Sequence, residues 1–516
     1  MRFLVVALPL IAALGAPPAS ALAARSPFPL GVAAGEVTSS SAIVWTRGAT
    51  AGPIRLDVRS AKNAMPVVRL TLLPTTGRDL TVQRRVFGLR PGTRYFYAFS
   101  VPFRRSRIVS AGEFRTAPAA SASATIRFAF SGDADGALDP KTGKPAYNAF
   151  QVYGRMAAER NDFNINLGDT IYSDSEIGGL PPALTVPAKW AKYRRNLAYG
   201  HLRNLRRSAG LYSHWDDHEF VNDFTLAEHG RPLYAAGVTA FRDYAPVAYN
   251  PRDGLYRSVR WGRHLELFFL DERSFRSAKA SAGGRCLNGA GNDLAPTAPG
   301  PVRGAFATLA PSLASPVPAG CREAIDDPAR TMLGARQYAR FTTAIAASKA
   351  TWKVVVNEVP IQQFYALPYD RWEGYAAERE RLLRFLQTRV RNVVFLTTDT
   401  HANFVNEVRL RTLEEGGPVG TGFFEVVTGP VATKTQNVEV DETLGGPTYG
   451  SAIVNLFYKP APPRGIGMLC SAANVYSYAE VRVAGPTMTV TPKDLNGKLV
   501  REETGAPCGP FVFRAR

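Results

Sequence analysis

Cysteine is scarce in this 516-residue chain, with only Cys286, Cys321, Cys470 and Cys508, and no two of them stand in CxxC spacing. That excludes a thiolate zinc cluster of the common kind. Beyond the N-terminus no stretch is apolar for long enough to span a bilayer, so no membrane span is expected. RRM, zinc-finger and basic-zipper signatures are missing, which argues against sequence-specific nucleic-acid reading. Internal repeats are absent as well. Histidine occurs six times, and 43 acidic residues face 62 Lys and Arg, a net charge of +19. The excess of cations predicts a soluble basic surface or attraction to anionic polymers and phosphate-bearing ligands. With 45% hydrophobic and 20% charged residues the chain is not a disordered one.

What is present begins with MRFLVVALPLIAALGAPPASALA, one Arg followed by a short apolar run and an Ala21-Leu22-Ala23 ending. This reads as a signal peptide over residues 1–23 and predicts a secreted or periplasmic protein. Twin arginines and a cysteine near the cleavage point are absent. In an exported protein four cysteines predict two disulfides; sequence proximity favours Cys286–Cys321 and Cys470–Cys508, with other pairings open. The length predicts two or three domains. Residues 28–117 read as all-β, with short β-branched and aromatic runs between turns, and Tyr95, Tyr97 and Phe99 fall on one strand face. GLRPGTRYFYAF followed by GEFRTAP resembles a fibronectin type III module, and 118–125 reads as a linker. From 126 to 516 apolar runs alternate with helical patterns, the signature of an α/β domain. Within it, 277–330 is rich in Gly, Ala and Pro and is expected to be an insertion closed by Cys286–Cys321.

The stretch SHWDDHEFVND, Ser213–Asp223, concentrates Asp216, Asp217, Glu219 and Asp223 around His214 and His218. Other expected strands also end on polar groups: IRFAF on Asp133 and Asp135, FNINL on Asp169 and Tyr172, LELFFL on Asp271 and Arg273, VVFL on Asp399 and His401. Ligands of open α/β sheets bind beyond the carboxyl ends of strands. Carboxylates gathered there repel one another unless a cation sits among them. Two or more metal ions would resolve the conflict. The donor types favour oxygen-preferring ions, namely iron(III), calcium, magnesium or manganese. Each motif alone has a plainer reading: Asp133-x-Asp135 as a turn or helix cap, Asp271 and Arg273 as a structural ion pair, His401 held by a backbone carbonyl. Arg273 is alternatively a contact for a phosphate oxygen, since guanidinium matches that geometry. Glu373, in RWEGY, is a further candidate for the pocket, beside Trp372 and Tyr375 as packing residues.

The ordered set GD-x-D, GDxxY, WDDHE, LDxR and DxH resembles the alkaline phosphatase D-like branch of the calcineurin-like metallophosphoesterases. GVAAGEVTSSSAIVWTR, TMLGARQYARF and DRWEGYAAERERLLRFL extend the resemblance over nearly the whole mature chain. It implies a βα sandwich of two sheets flanked by helices, preceded by a fibronectin-like domain, and an exported phosphodiesterase or phosphomonoesterase. By that resemblance Asp169 bridges the metals, Tyr172 is a phenolate ligand to iron(III), and Asp399 and His401 are ligands. Asp217 replaces an Asn of the wider superfamily, His218 is the general acid or transition-state stabiliser, and Asn222 is an alternative ligand. Asp133 stands where many members carry a Cys ligand, and Asp133-Ala134-Asp135 resembles a D-x-H motif with Asp for His. The expected cofactors are iron(III) and/or calcium, with manganese or magnesium as alternatives. The expected partner is a phosphate ester, an anionic polymer or phospholipid among them. A non-catalytic protein binding a cell surface or wall polymer is the alternative.

Overall fold

A computed structural model describes residues 26–102, 109–289 and 291–516; the expected leader, 1–23, lies outside them. Among the described residues the strands form a nine-stranded and a seven-stranded sheet, a four-stranded sheet and a two-stranded ribbon. Strands Ile126–Ser131, Phe163–Leu167 and Gly210–His214 run parallel in the centre of the first large sheet. In the second, Leu265–Phe269, Trp352–Val356, Val393–Thr397 and Val419–Val427 run parallel side by side.

Alternation along these strands explains the layering, because successive side chains of a strand point to opposite faces. Phe128, Phe130, Ile165 and Leu167 of one sheet meet Leu265, Leu267, Phe269, Val354, Val356 and Leu396 of the other in a shared core. The intervening Ala129 and Leu211 face outward under helices, in a cluster with Val152, Tyr153, Leu205 and Phe241. On the far side Phe268, Val355 and Phe395 meet Phe341, Leu382 and Leu386 of helices Gly334–Ala347 and Ala376–Arg389. The result is a helix–sheet–sheet–helix sandwich, the α/β class expected.

The N-terminal region is all-β. Strands Ile54–Arg59, Val68–Leu72, Arg94–Ser100 and Val109–Arg115 form the four-stranded sheet, and Tyr95, Tyr97 and Phe99 are all buried on one face of their strand. The opposing layer, Val32–Gly35, Ala42–Arg47 and Thr81–Val86, continues the first large sheet, with Val32–Gly35 lying parallel to Gly210–His214. The segment 28–117 therefore shares a sheet with the α/β region. Local strand patterns do not reveal such edge-to-edge continuation.

Two arginines shortly before SHWDDHEFVND, Arg203 and Arg206, make internal contacts. Arg206 is buried, donates to the Tyr244 carbonyl and lies over the Trp45 ring, while Arg203 caps the carbonyls of Leu197 and Ala198.

The disulfides join Cys286 to Cys321 and Cys470 to Cys508, the pairing that proximity favours. Within 277–330 two short helices, Gly300–Phe306 and Ala319–Asp326, bury Val302 and Ile325, and the 3-10 turn Pro311–Ala314 buries Leu313. A segment so poor in regular structure depends on its covalent closure. Replacing Cys286 and Cys321 with Ser is expected to lower the unfolding free energy by about 2–4 kcal/mol in a denaturant titration under non-reducing conditions.

Candidate metal centre

The carboxyl ends of the parallel strands of both sheets converge at the floor of a cavity of about 580 Å³. Asp133 follows Ile126–Ser131, Asp169 follows Phe163–Leu167, Asp217 and His218 follow Gly210–His214, and Asp399 and His401 follow Val393–Thr397. Thr398 Oγ1 donates to the Leu167 carbonyl (2.7 Å) and the Asp399 N–H to Asp133 Oδ1 (3.3 Å), so the two sheets are tied at this edge.

The backbone here is bent against preference. Asp133 (φ 61°), Asp169 (φ 46°), Asp399 (φ 73°) and His401 (φ 52°) all occupy the left-handed region. Asp tolerates that region better than most residues, but such strain persists only where the surroundings impose it, and it collects at functional sites. Close approach of the first two loops requires Gly132, where a Cβ would stand 2.0 Å from the Leu167 carbonyl oxygen. That oxygen is backbone and cannot swing away. Gly132→Ala is expected to push Asp133 from Asp169 and to lower metal occupancy by at least about tenfold in a competition titration, the order seen when groups that orient ligands are disturbed.

Two sets of potential donors come within 4.8 Å of one another: Asp133, Asp169 and His401, and Asp169, Asp217 and His218. Asp169 belongs to both. A third set, Asp217, Asp223 and Asp370, is different because protein cations already neutralise it. Lys279 pairs with Asp223 (2.9 Å), and Arg273 and Arg276 pair with Asp370 (2.8 and 3.0 Å).

The electrostatics show a deficit of positive charge around Asp169. Burial raises Asp133 to about 7, against the opposing pull of His401 and the Asp399 N–H. Asp169 is held well above the usual carboxylate range by burial and by Asp217, Asp216 and Glu219, with His218 acting against them. Asp399 is raised likewise, by burial and by Asp216, Asp370 and Asp217. Asp133 Oδ2 is buried without a hydrogen-bond partner. An orphaned carboxylate oxygen beside a shared carboxylate and an imidazole fits a metal cation, which would supply the missing charge.

Tyr172 closes the same corner, its hydroxyl 3.0 Å from His401 Nε2 and its ring stacked on His218 at 4.1 Å between centroids. Burial, followed by the charges of Asp169 and Asp133, keeps its phenol well above the ordinary range. His401 Nδ1 faces Glu439 (2.6 Å) and His218 Nδ1 faces Asp174 (2.6 Å), leaving each Nε2 turned away from its carboxylate partner. For His218, burial works against the proton, but Asp169, Asp217 and Asp174 outweigh it and raise the imidazole well above its usual value.

Several expected residues behave differently. Arg273 is not on the cavity wall. It is wholly buried, with Nε donating to Asp216 (2.5 Å) and Nη1 to Asp370 (2.8 Å), while Nη2 points unpartnered toward Asp217 and Asp399, 4.0 Å from each. It neutralises carboxylates from behind the cavity lining. Nor does it pair with the Asp271 side-chain charge: that carboxylate accepts from the N–H groups of Leu255, Arg273 and Ser274. Asp135 borders the cavity, but its oxygens accept from the Ala137 N–H and the Ser175 hydroxyl, as in a turn. Asn222 stands exposed on the cavity rim, its N–H held by Asp174. His214 is buried in the core against Phe269 and Glu358. Glu373 is buried and accepts from the N–H groups of Phe364 and Tyr365. Asp174, Asp370 and Glu439 are the groups that sequence reading misses. Asp174 has a local signal, two positions after Tyr172, whereas Glu439 lies on helix Gln436–Leu444, far from His401 in the chain.

Known proteins share this arrangement of elements. A family model described as PhoD-like phosphatase matches residues 142–457, and another, PhoD-like phosphatase, N-terminal domain, matches 15–118. Alkaline phosphatase D of Bacillus subtilis (strain 168) is 25% identical over 431 residues, which span 74% of this chain and 66% of that protein, just under two thirds of its length. A solved structure of PhoD superposes with a TM-score of 0.71 at 19% identity, covering 94% of each chain. Purple acid phosphatase PPD1 from yellow lupin (Lupinus luteus) seeds gives 0.56 at 11% identity, covering 91% of this chain and 72% of that one. At these identities the structural likeness is one of fold.

Proposed function

The chain belongs to the PhoD-like phosphatase family, and on that premise we propose that it is an exported metal-dependent phosphoesterase hydrolysing phosphodiesters, phosphomonoesters or both. The observation that carries this reading is the position of Asp169 in two donor sets at once, on the floor of a cavity large enough for an ester. Asp133, Asp169, Tyr172 and His401 would hold one ion and Asp169, Asp217 and Asp399 a second, with Asn222 as an outer oxygen ligand. Iron(III) and/or calcium suits these donors, and manganese or magnesium is the alternative. When bound, such ions polarise a phosphoryl oxygen and make a water nucleophilic at neutral pH.

The chain's own groups then have separate tasks. Asp174 fixes the His218 ring through Nδ1 and favours its protonated form, so that Nε2 offers a proton to the leaving oxygen. Glu439 orients His401 in the same manner, as partners of metal-bound histidines commonly do. Arg273 and Arg276 hold Asp370, and Arg273 holds Asp216, which keeps the carboxylate array in place beneath the substrate.

Hydrolysis of a chromogenic phosphodiester and of its matching monoester by the mature protein tests the reading. Turnover of the diester is expected; turnover of neither ester with any of the four ions present would replace it with a binding role.

A further inference from the structure

Besides the carboxylates, the cavity lining carries an apolar patch of wall formed by Leu294, Phe306, Leu309, Leu313, Leu444 and Phe457, with Arg371, Lys434 and Glu442 also on the lining. This wall is assembled from two remote parts of the chain, the 277–330 segment and the stretch after residue 443. Phe306 packs edge-on against Phe457 at 4.7 Å between ring centroids, joining the two parts. Behind it Val302, Phe364, Tyr365, Val454 and Tyr458 form a buried cluster, so the wall is a supported surface. Leu309 and Leu444 are only half-buried and face the cavity space.

From this we infer that the enzyme selects phosphate esters carrying one apolar alkyl or aryl group, seated against the Leu294–Leu313 and Leu444–Phe457 wall. The inference rests on the phosphoesterase reading and adds the substrate class to it. A volume of about 580 Å³ lies within the range of pockets that bury most of a drug-sized molecule. It accommodates a phosphate with one such group, whereas a highly charged polymer would leave the apolar wall against solvent-seeking groups. Each methylene removed from water at this wall strengthens binding, and a hydroxylated substituent of equal size gains nothing there.

The test is a series of p-nitrophenyl phosphodiesters whose second group is methyl, butyl or octyl, used as soluble monomers with the metal-loaded protein. The expected result is a kcat/KM for the octyl ester at least about tenfold above that for the methyl ester. In the Leu309→Gln and Leu444→Gln variants, with metal content and melting temperature checked, that ratio falls toward one. Calorimetric titration with octyl phosphate and methyl phosphate provides a readout free of turnover, with the same tenfold preference and the same loss in the variants. Equal values for the octyl and methyl compounds in both measurements, or a preference untouched by the variants, would overturn the apolar subsite while leaving phosphoester hydrolysis standing. If no ester is turned over, the phosphoesterase reading fails, and the calorimetric preference alone decides the subsite. Headgroup release from phosphatidylcholine vesicles would assign the subsite to a membrane lipid, and its absence to soluble esters.

Discussion

Asp169→Asn is expected to lower kcat/KM by at least about 10³-fold, because several kcal/mol of charge stabilisation by metal ions depends on it and each 1.36 kcal/mol is a factor of ten. Among the described residues Asp169 is the one common to both donor sets, so its loss weakens two sites together. Metal content should fall with the rate. The fold should survive, since the amide oxygen of Asn can still accept the hydrogen bond that Asp169 Oδ1 takes from the His218 N–H. Stability of the metal-free protein should move the opposite way from activity. The raised Asp169 carboxyl is most compatible with the folded state when protonated, so its contribution is lost as pH rises above the ordinary carboxylate range. At neutral pH the metal-free variant is therefore expected to melt no lower than metal-free wild type, as followed by circular dichroism. A variant with full metal content and full turnover would remove Asp169 from the mechanism.

His218→Ala carries the second large effect, a fall in kcat of about 10²–10⁴-fold with metal content retained, the range for a lost general acid. The loss should grow as the leaving group becomes poorer, because a weakly acidic alcohol needs the proton that p-nitrophenol does not. Asp174→Asn should shift rates in the same direction by a smaller factor, since it acts through the His218 ring. The competing assignment, His218 as a metal ligand, is allowed by its place in the Asp169–Asp217–His218 set. It predicts loss of metal in His218→Ala and no dependence on leaving group, so the two roles separate on metal analysis and a leaving-group series.

Much of this arrangement is legible in the sequence, for a physical reason. Short apolar runs such as VVFL mark strands buried on both faces, and an acid directly after such a strand lies at the sheet's edge. Asp133, Asp169, Asp217 and Asp399 can be placed at this edge from the sequence because each closely follows its strand in the chain. Arg273 misleads because its meaning depends on Asp216 and Asp370, 57 and 97 positions away. Local sequence offers Asp271 as its partner, but that carboxylate is occupied by neighbouring N–H groups. Glu439 and the apolar cavity wall are hidden for the same reason, being created by packing between distant segments. The sharing of one sheet between Val32–Gly35 and Gly210–His214 is likewise a tertiary fact.

The measurement that tests the central claim most directly is stepwise removal and return of metal while ions per chain and phosphodiester turnover are monitored together. Chelation is expected to abolish turnover, and reconstitution to restore it only as occupancy approaches about two ions per chain, as a two-ion clamp sharing one carboxylate requires. Full turnover by protein stripped of metal, or full recovery at one ion per chain, would contradict the account.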